Sequence, residues 1–361
     1  YTGGKILWMK QNEPDNYART KIILNPKDYI RFLMTGNMET EVSDASGTGL
    51  FNVKTRSWAY DLIEKIGLNR DFFPKCVEST EQTGTITEQA SALTGIHQGT
   101  PVFAGGGDAV ISTTGLGLVK PGRAGVTLGT SGVVAVGLSG YADNPGGVLQ
   151  LFCNNAPGRW MAFGCTLSAA GSYQWFRDAL GGGEDYRALD AGAEDIPAGS
   201  DGLLFLPYLT GERCPLFDPK ATGAFLGITS LMRKPHFARA VMEGISYSMK
   251  QVYDMIVEAS PGIDTSEVAI AGGGAKSPIW RQMLADIFGL PVKTVHGSAE
   301  GGAFGAALVA GAGAGLWASL DDAMACAKPE SETLPNPDNA EVYAKQYRKY
   351  VKMYDALKWS Y

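Results

Sequence analysis

The 361-residue chain exceeds one ordinary domain, so two domains of about 100–200 residues each are expected. Its 47 glycines follow no period of three, which excludes a collagen-like or low-complexity chain. A net charge of −6, with Lys and Arg scattered along the chain, lacks the basic footprint of a nucleic-acid binder and points to a small-molecule substrate.

The chain opens at Tyr1 with neither an initiator Met nor a charged-then-apolar secretory pattern, and its start is expected to be truncated. Apolar residues at helical spacing predict helices over Pro26–Met34 and Tyr60–Ile66, the second stopped by Gly67. Pro101–Ala104 reads as a buried strand that ends in the turn Gly105–Gly107 and the carboxylate of Asp108. Gly/Pro punctuation at Lys120 and Pro121 sets a boundary between domains of residues 1–120 and 121–361. Past it, Gly122–Ala135 reads as strand, tight turn, strand, with Gly129, Thr130 and Ser131 in the turn.

His236–Glu258 places Phe237, Val241, Ile245, Met249 and Tyr253 four apart and predicts a helix. Glu267–Ala271 reads as a strand, Gly272–Gly274 as a turn and Ile279–Phe288 as a helix. Gly301–Leu320 is uncharged for long enough to span a bilayer, but its six Gly and seven Ala drive transfer into lipid only weakly. A close-packed helix inside the protein, with no membrane partner, is expected there. After the polar stretch Lys328–Asn339, a last helix aligns Tyr343, Tyr347, Tyr350, Tyr354 and Leu357 at the spacing of core packing. Both Phe103–Gly107 and Ile270–Gly274 are apolar runs ending in Ala-Gly-Gly-Gly, the echo left by two related domains that each present a glycine turn to a shared cleft. The alternation of elements is that of an α/β protein.

The five cysteines, Cys76, Cys153, Cys165, Cys214 and Cys326, are odd in number and form no CxxC pair, so they read as reduced thiols of a cytoplasmic protein. No segment fits a Walker loop, and no His, Cys or carboxylate cluster has metal-ligand spacing. The dinucleotide fingerprint fits Gly272 and Gly274 but meets Ser277 at its third glycine, and no acid closes Val292–Val295. A nucleophile elbow at Gly129–Val133 fails at Val133, and His97, His236 and His296 are the only imidazoles available to a triad. Glycines after a strand let N–H groups approach phosphate oxygens, an arrangement that Gly272–Gly274 offers, although a purely structural turn explains them equally well. Thr130 and Ser131 suit phosphate binding, and Asp108 is either a catalytic carboxylate or a backbone cap.

Together these segments resemble the FGGY carbohydrate kinases over essentially the whole chain, nearest to the members that phosphorylate xylulose. Lys5–Pro14 resembles the family's first signature. The second is matched by Gly223-Ala-Phe-Leu-Gly227-Ile with His236-Phe and Ala240-Val-Met-Glu243-Gly244. Lys27-Asp28-Tyr29, Ser43-Asp44-Ala-Ser-Gly47-Thr48, Gly211-Glu212-Arg213 and Gly273–Ser277 with Trp280-Arg281-Gln282 agree with it. The resemblance implies two actin-like, ribonuclease H-like domains around a deep interdomain cleft, with ATP, Mg2+ and a small-molecule sugar as ligands. It implies Asp108 as catalytic base and Thr130, in the turn with Gly129 and Ser131, as a contact to the ATP phosphates. Ala170 and Gln174 fall in the nucleotide site, and Gly273, Gly274 and Ser277 border the adenosine. The family's first phosphate loop is not found in these residues, so the 361-residue chain alone is expected to be inactive. Ala109 stands where glycerol kinases have Gln and xylulose kinases commonly Asn, which disfavours glycerol and leaves the sugar open. Oligomeric state is likewise left open, a homodimer included.

Overall fold

The computed structural model describes residues 1–144, 146–297 and 301–360. Its framework is a seven-stranded sheet in the order Pro329–Thr333, Val292–Val295, Val268–Ala271, Ala124–Leu128, Gly132–Leu138, Trp160–Thr166 and Gln150–Cys153. Alternation along the strands divides the core between two faces. Val126, Leu128, Val134, Val136, Val268 and Ile270 point to one cluster, whereas Ala135, Met161, Phe163, Ala269 and Val295 point to the other. The first face is covered by Lys234–Ala259, Ala170–Ala179, Pro278–Phe288 and Ala340–Leu357, and the second by Asp108–Gly115 with Phe304.

The helix read from four-residue spacing runs over 26 residues, Lys234–Ala259, starting two residues before His236. Its fit depends on glycine at two crossings. A Cβ on Gly244 would lie 2.2 Å from the Phe205 carbonyl oxygen, and one on Gly132 would lie 1.8 Å from Met249 Cε. Glu243 beside Gly244 is fully enclosed, yet its oxygens accept from Arg239 Nε at 2.8 Å, Gly199 N at 2.9 Å, Ser200 Oγ at 2.8 Å and Tyr343 Oη at 3.1 Å. Removing any one donor would leave a buried charge short of partners, so this part of the second signature is a structural lock.

The predicted aromatic stripe is core: Tyr343 and Tyr350 are buried, and the hydroxyls of Tyr208 and Tyr350 meet at 3.0 Å. All five cysteines are free. Pro101–Phe103 corrects an expectation. It is not a buried strand but half of a two-stranded antiparallel ribbon with Gln82–Thr85, Pro101 exposed and Val102 and Phe103 half-buried. The run Pro101–Ala104 is too short to separate a central strand from an edge, and here Phe103 lies beside Gly313.

Residues before the sheet form a smaller region. Helices Pro26–Thr35 and Tyr60–Lys65 match the predicted ones, and Ile6, Leu50, Ile63, Leu68, Phe72 and Phe73 make its own core. The glycine-rich segment after Gly301 forms the helix Gly302–Gly313, laid against Asp108–Gly115. Among the described residues no helix is long and apolar enough to cross a membrane. Small residues let the two backbones touch, since a Cβ on Gly305 would stand 1.9 Å from the Ile111 carbonyl oxygen. Gly305→Ala gains about 1 kcal/mol of helix propensity, but pushing two backbones apart costs roughly 3 kcal/mol. Urea unfolding is expected to show a net loss of roughly 2 kcal/mol; a gain would mean that these helices do not pack at this distance.

Candidate active site

Strand direction gathers the glycine turns. Val268–Ala271 runs parallel to Ala124–Leu128, while Gly132–Leu138 is antiparallel to both Ala124–Leu128 and Trp160–Thr166. Three strands therefore end at the same edge, the place where open α/β sheets bind ligands. Gly129–Ser131, Leu167–Gly171 and Gly272–Lys276 all emerge there.

The three segments are tied by backbone. Gly129 N donates to Ser131 O at 3.1 Å, closing the turn. Ala169 N and Gly171 N donate to Thr130 O at 2.9 and 3.1 Å, and Ala170 N donates to Gly129 O at 2.9 Å. The helix Ala170–Ala179 thus directs its N-terminal end at this turn, while the side chains of Thr130 and Ser131 are exposed. Gln174 is exposed one turn along that helix. On the other side, Gly272 has φ +89°, and a Cβ there would be 2.5 Å from Leu128 O. A Cβ on Gly274 would be 2.8 Å from the Leu128 side chain, whereas one on Gly273 would meet nothing within 4 Å. Two glycines seat the turn on Leu128, and the third faces open space. Ser277 Oγ accepts from Trp280 N at 3.3 Å, so its side chain caps the helix Pro278–Phe288.

Asp108 is the first residue of the helix Asp108–Gly115 and is exposed. Among the described residues its hydrogen bonds are local: Oδ1 accepts from Ala109 N at 2.7 Å, and its carbonyl from Ser112 Oγ at 2.7 Å. The glycine turn before it is closely packed at two of its three positions, because a Cβ on Gly106 would be 2.4 Å from Asn155 Nδ2 and one on Gly107 3.2 Å from Asp44 Cα, whereas Gly105 has φ +79° and open space. Gly107 N donates to Ser43 Oγ at 3.0 Å. Asn155 Nδ2 donates to Ser43 Oγ and Ser79 Oγ at 3.2 and 2.9 Å, and its Oδ1 accepts from Thr114 Oγ1 at 2.8 Å. Glu41, wholly buried, receives Ser43 N, Asp44 N, Ser43 Oγ and Ser79 Oγ within 3.1 Å.

Charges close the network. Lys27 Nζ lies 2.6 Å from Asp28, 3.5 Å from Glu41 and 3.6 Å from Asp44, and Arg31 lies 3.3 Å from Asp28. Burial pulls the Lys27 pKa down, but Glu41, Asp28 and Asp44 outweigh it and hold the group raised. Two cations face three carboxylates, and Asp44 carries the surplus. Burial, with Glu41 and Asp28 adding to it against the pull of Lys27, pushes Asp44 up to about 6. The cluster was legible only as a resemblance at Lys27–Tyr29 and Ser43–Thr48. Its sequence signal is the charge in the apolar helix Pro26–Thr35, and Asn155 and Ser79 leave none.

The architecture is of mixed α/β build, a smaller region followed by a larger one on the seven-stranded sheet. The profile of the FGGY family of carbohydrate kinases, C-terminal domain, matches residues 124–314, and that of the N-terminal domain matches residues 1–115. The chain belongs to the FGGY family of carbohydrate kinases, with its actin-like fold. It is 35% identical to the xylulose kinase of Bacillus subtilis over 99% of this chain and 71% of that protein. The ligand-bound xylulose kinase of Lactobacillus acidophilus superposes with a TM-score of 0.91 at 28% identity, covering 99% of this chain and 72% of that one. The gluconate kinase of the same organism superposes at 0.89 and 28%, covering 98% and 71%.

The Asp44 shift gives a pH signature. Because the folded-state pKa is raised from 3.8 to about 6, ionisation opposes folding progressively from the lower value to the higher and fully above it. Asp44→Asn is expected to gain about 3 kcal/mol relative to wild type at pH 7 and little at pH 4. Denaturant unfolding at the two pH values reads this directly, and an equal effect at both would refute the raised carboxyl of Asp44.

Proposed function

We propose that this protein transfers the γ-phosphoryl group of ATP to a hydroxyl of a small ketose, xylulose first among them. The observation that carries it is the exposed carboxylate of Asp108, at the end of a glycine turn held by a buried network, in a chain 35% identical to a xylulose kinase. Asp108 accepts the proton of the attacking sugar hydroxyl. Thr130 and Ser131 donate hydrogen bonds to the phosphates, with the N-terminal end of Ala170–Ala179 adding positive potential as charge builds on the leaving group. Gln174 stands on that helix beside the nucleotide. Gly273, Gly274 and Ser277 border the adenosine, Gly273 leaving space for it. Phosphoryl transfer asks for alignment and charge stabilisation more than covalent chemistry, which is what such a set of groups supplies.

Magnesium would be held mainly by the ATP phosphates and water, because among the described residues no cluster of His, Cys, Asp or Glu offers a metal site of its own. When bound, it neutralises the phosphate charge. We set the domain boundary at Lys120–Pro121, with sugar contacts before it and nucleotide contacts after, and place the enzyme in the cytoplasm on its free thiols.

A panel of ketoses, polyols and sugar acids assayed for ATP consumption with the full-length protein is expected to give the highest kcat/KM with xylulose and little turnover of glycerol. ATP binding with no sugar-dependent consumption would overturn the kinase reading. Asp108→Asn is expected to lower kcat by roughly 10²–10⁴ while ATP affinity persists. Near-normal turnover in that variant would remove Asp108 as the base.

A further inference from the structure

Glu212 is a carboxylate buried without a cation. It lies in the loop Leu209-Thr210-Gly211-Glu212-Arg213-Cys214, is 1% exposed, and among the described residues forms no ion pair. Oε1 accepts from Leu167 N at 2.8 Å and from Arg213 N at 2.7 Å, while Oε2 is buried with no hydrogen-bond partner. Burial pushes its carboxyl up to about 7 over the opposing pull of those two N–H groups. A group this costly to enclose needs a reason to be there.

The reason is in what it holds. Leu167 follows the strand Trp160–Thr166 and opens the bend whose next N–H groups, from Ala169, Ala170 and Gly171, all donate to carbonyls of Gly129 and Thr130. The glycine at 171 admits this approach, since a Cβ there would be 2.8 Å from Thr130 O. The loop of Glu212 is itself firmly set. Glu212 and Asp218 exchange backbone hydrogen bonds at 2.8 Å, Cys214 N donates to Cys165 O at 3.2 Å, and Ser172 Oγ donates to Pro207 O at 3.1 Å. A rigid loop therefore holds the bend through the Glu212 carboxylate, which receives Leu167 N at 2.8 Å, and more weakly through Ser168 Oγ and Thr210 Oγ1 at 3.4 Å, and the bend holds the turn that carries Thr130.

We propose that Glu212 is a positioning residue for the nucleotide, acting through the Leu167–Gly171 bend to set the Gly129–Ser131 turn and so the affinity for ATP rather than for the sugar. The inference rests on the assignment of that turn to the phosphates. Neutral and ionised forms both keep Oε1 as an acceptor, so glutamine can replace the carboxylate.

The test is steady-state kinetics of the full-length protein with ATP and with sugar varied in turn. Glu212→Ala is expected to raise KM for ATP about tenfold while KM for the sugar changes less than about twofold, and Glu212→Gln to restore the ATP value to within about twofold. Glu212→Asp, which draws the acceptor back by one methylene, shows the same split if the alanine variant does not fold. An unchanged KM for ATP in the alanine and aspartate variants, or a parallel rise in both constants, overturns the proposal. Wild-type protein that fails to bind ATP removes the phosphate-turn reading itself, whereas normal wild-type affinity with indifferent variants removes only the role of Glu212.

Discussion

The parallel pairing of Ala124–Leu128 with Val268–Ala271 is the constraint on which the nucleotide edge depends. These strands lie far apart in sequence, and their register, Ala124 with Val268 through Thr127 with Ala271, sets Gly272 directly over Leu128. A slip of one residue would turn every side chain to the opposite face and drive Val126 and Ile270 out of their cluster. Hydrophobic burial thus fixes the register, and the register fixes which backbone atoms meet at the edge. Gly272 and Gly274 are then the residues that sterics allow, and the space over Gly273 is a by-product of seating its neighbours.

The turn before Asp108 is held by different physics. Here the partners are side chains, and buried polar groups are stable only as a complete set. Ser43 shows the coupling: its hydroxyl receives Gly107 and Asn155 and donates to Glu41, which in turn caps the helix that carries Asp44. Asn155 comes from beyond the strand Gln150–Cys153 and reaches Ser43 and Ser79 in the smaller region as well as Thr114 on the helix of Asp108. One amide therefore joins both parts of the chain to the helix whose first residue is the proposed base. The backbone that leads into that residue is set by a network in which each member is another's partner, while among the described residues its carboxylate is held only by the Ala109 N–H.

What could be read in the chain follows from which interactions leave a local trace. Helical periodicity survived into Lys234–Ala259 and Ala340–Leu357, because core contacts at three- and four-residue steps are written along one segment. The glycine-rich run after Gly301 was readable for the same reason, since a helix made of Gly and Ala has close approach as its use. Pro101–Ala104 was misread as a buried strand because so short a run carries no period. Asn155 and Ser79 were invisible, since their partners lie elsewhere and neither residue type signals burial. Glu212 was visible only as part of a motif, and its role came into view once its oxygen was seen to hold a bend two segments away.

Fold does not choose the sugar, since neighbours named xylulose kinase and gluconate kinase superpose on this chain almost equally well. The choice must lie in polar groups around the reacting hydroxyl. Ala109, exposed directly after Asp108, offers none. A site built to bind a hydroxyl loses most when a partner is missing and the group stays dry. A three-carbon polyol has few hydroxyls over which to spread that loss, while a five-carbon ketose keeps several contacts when one is gone. For the proposed kinase, a side chain at position 109 without a hydrogen-bonding group therefore costs the larger sugars least.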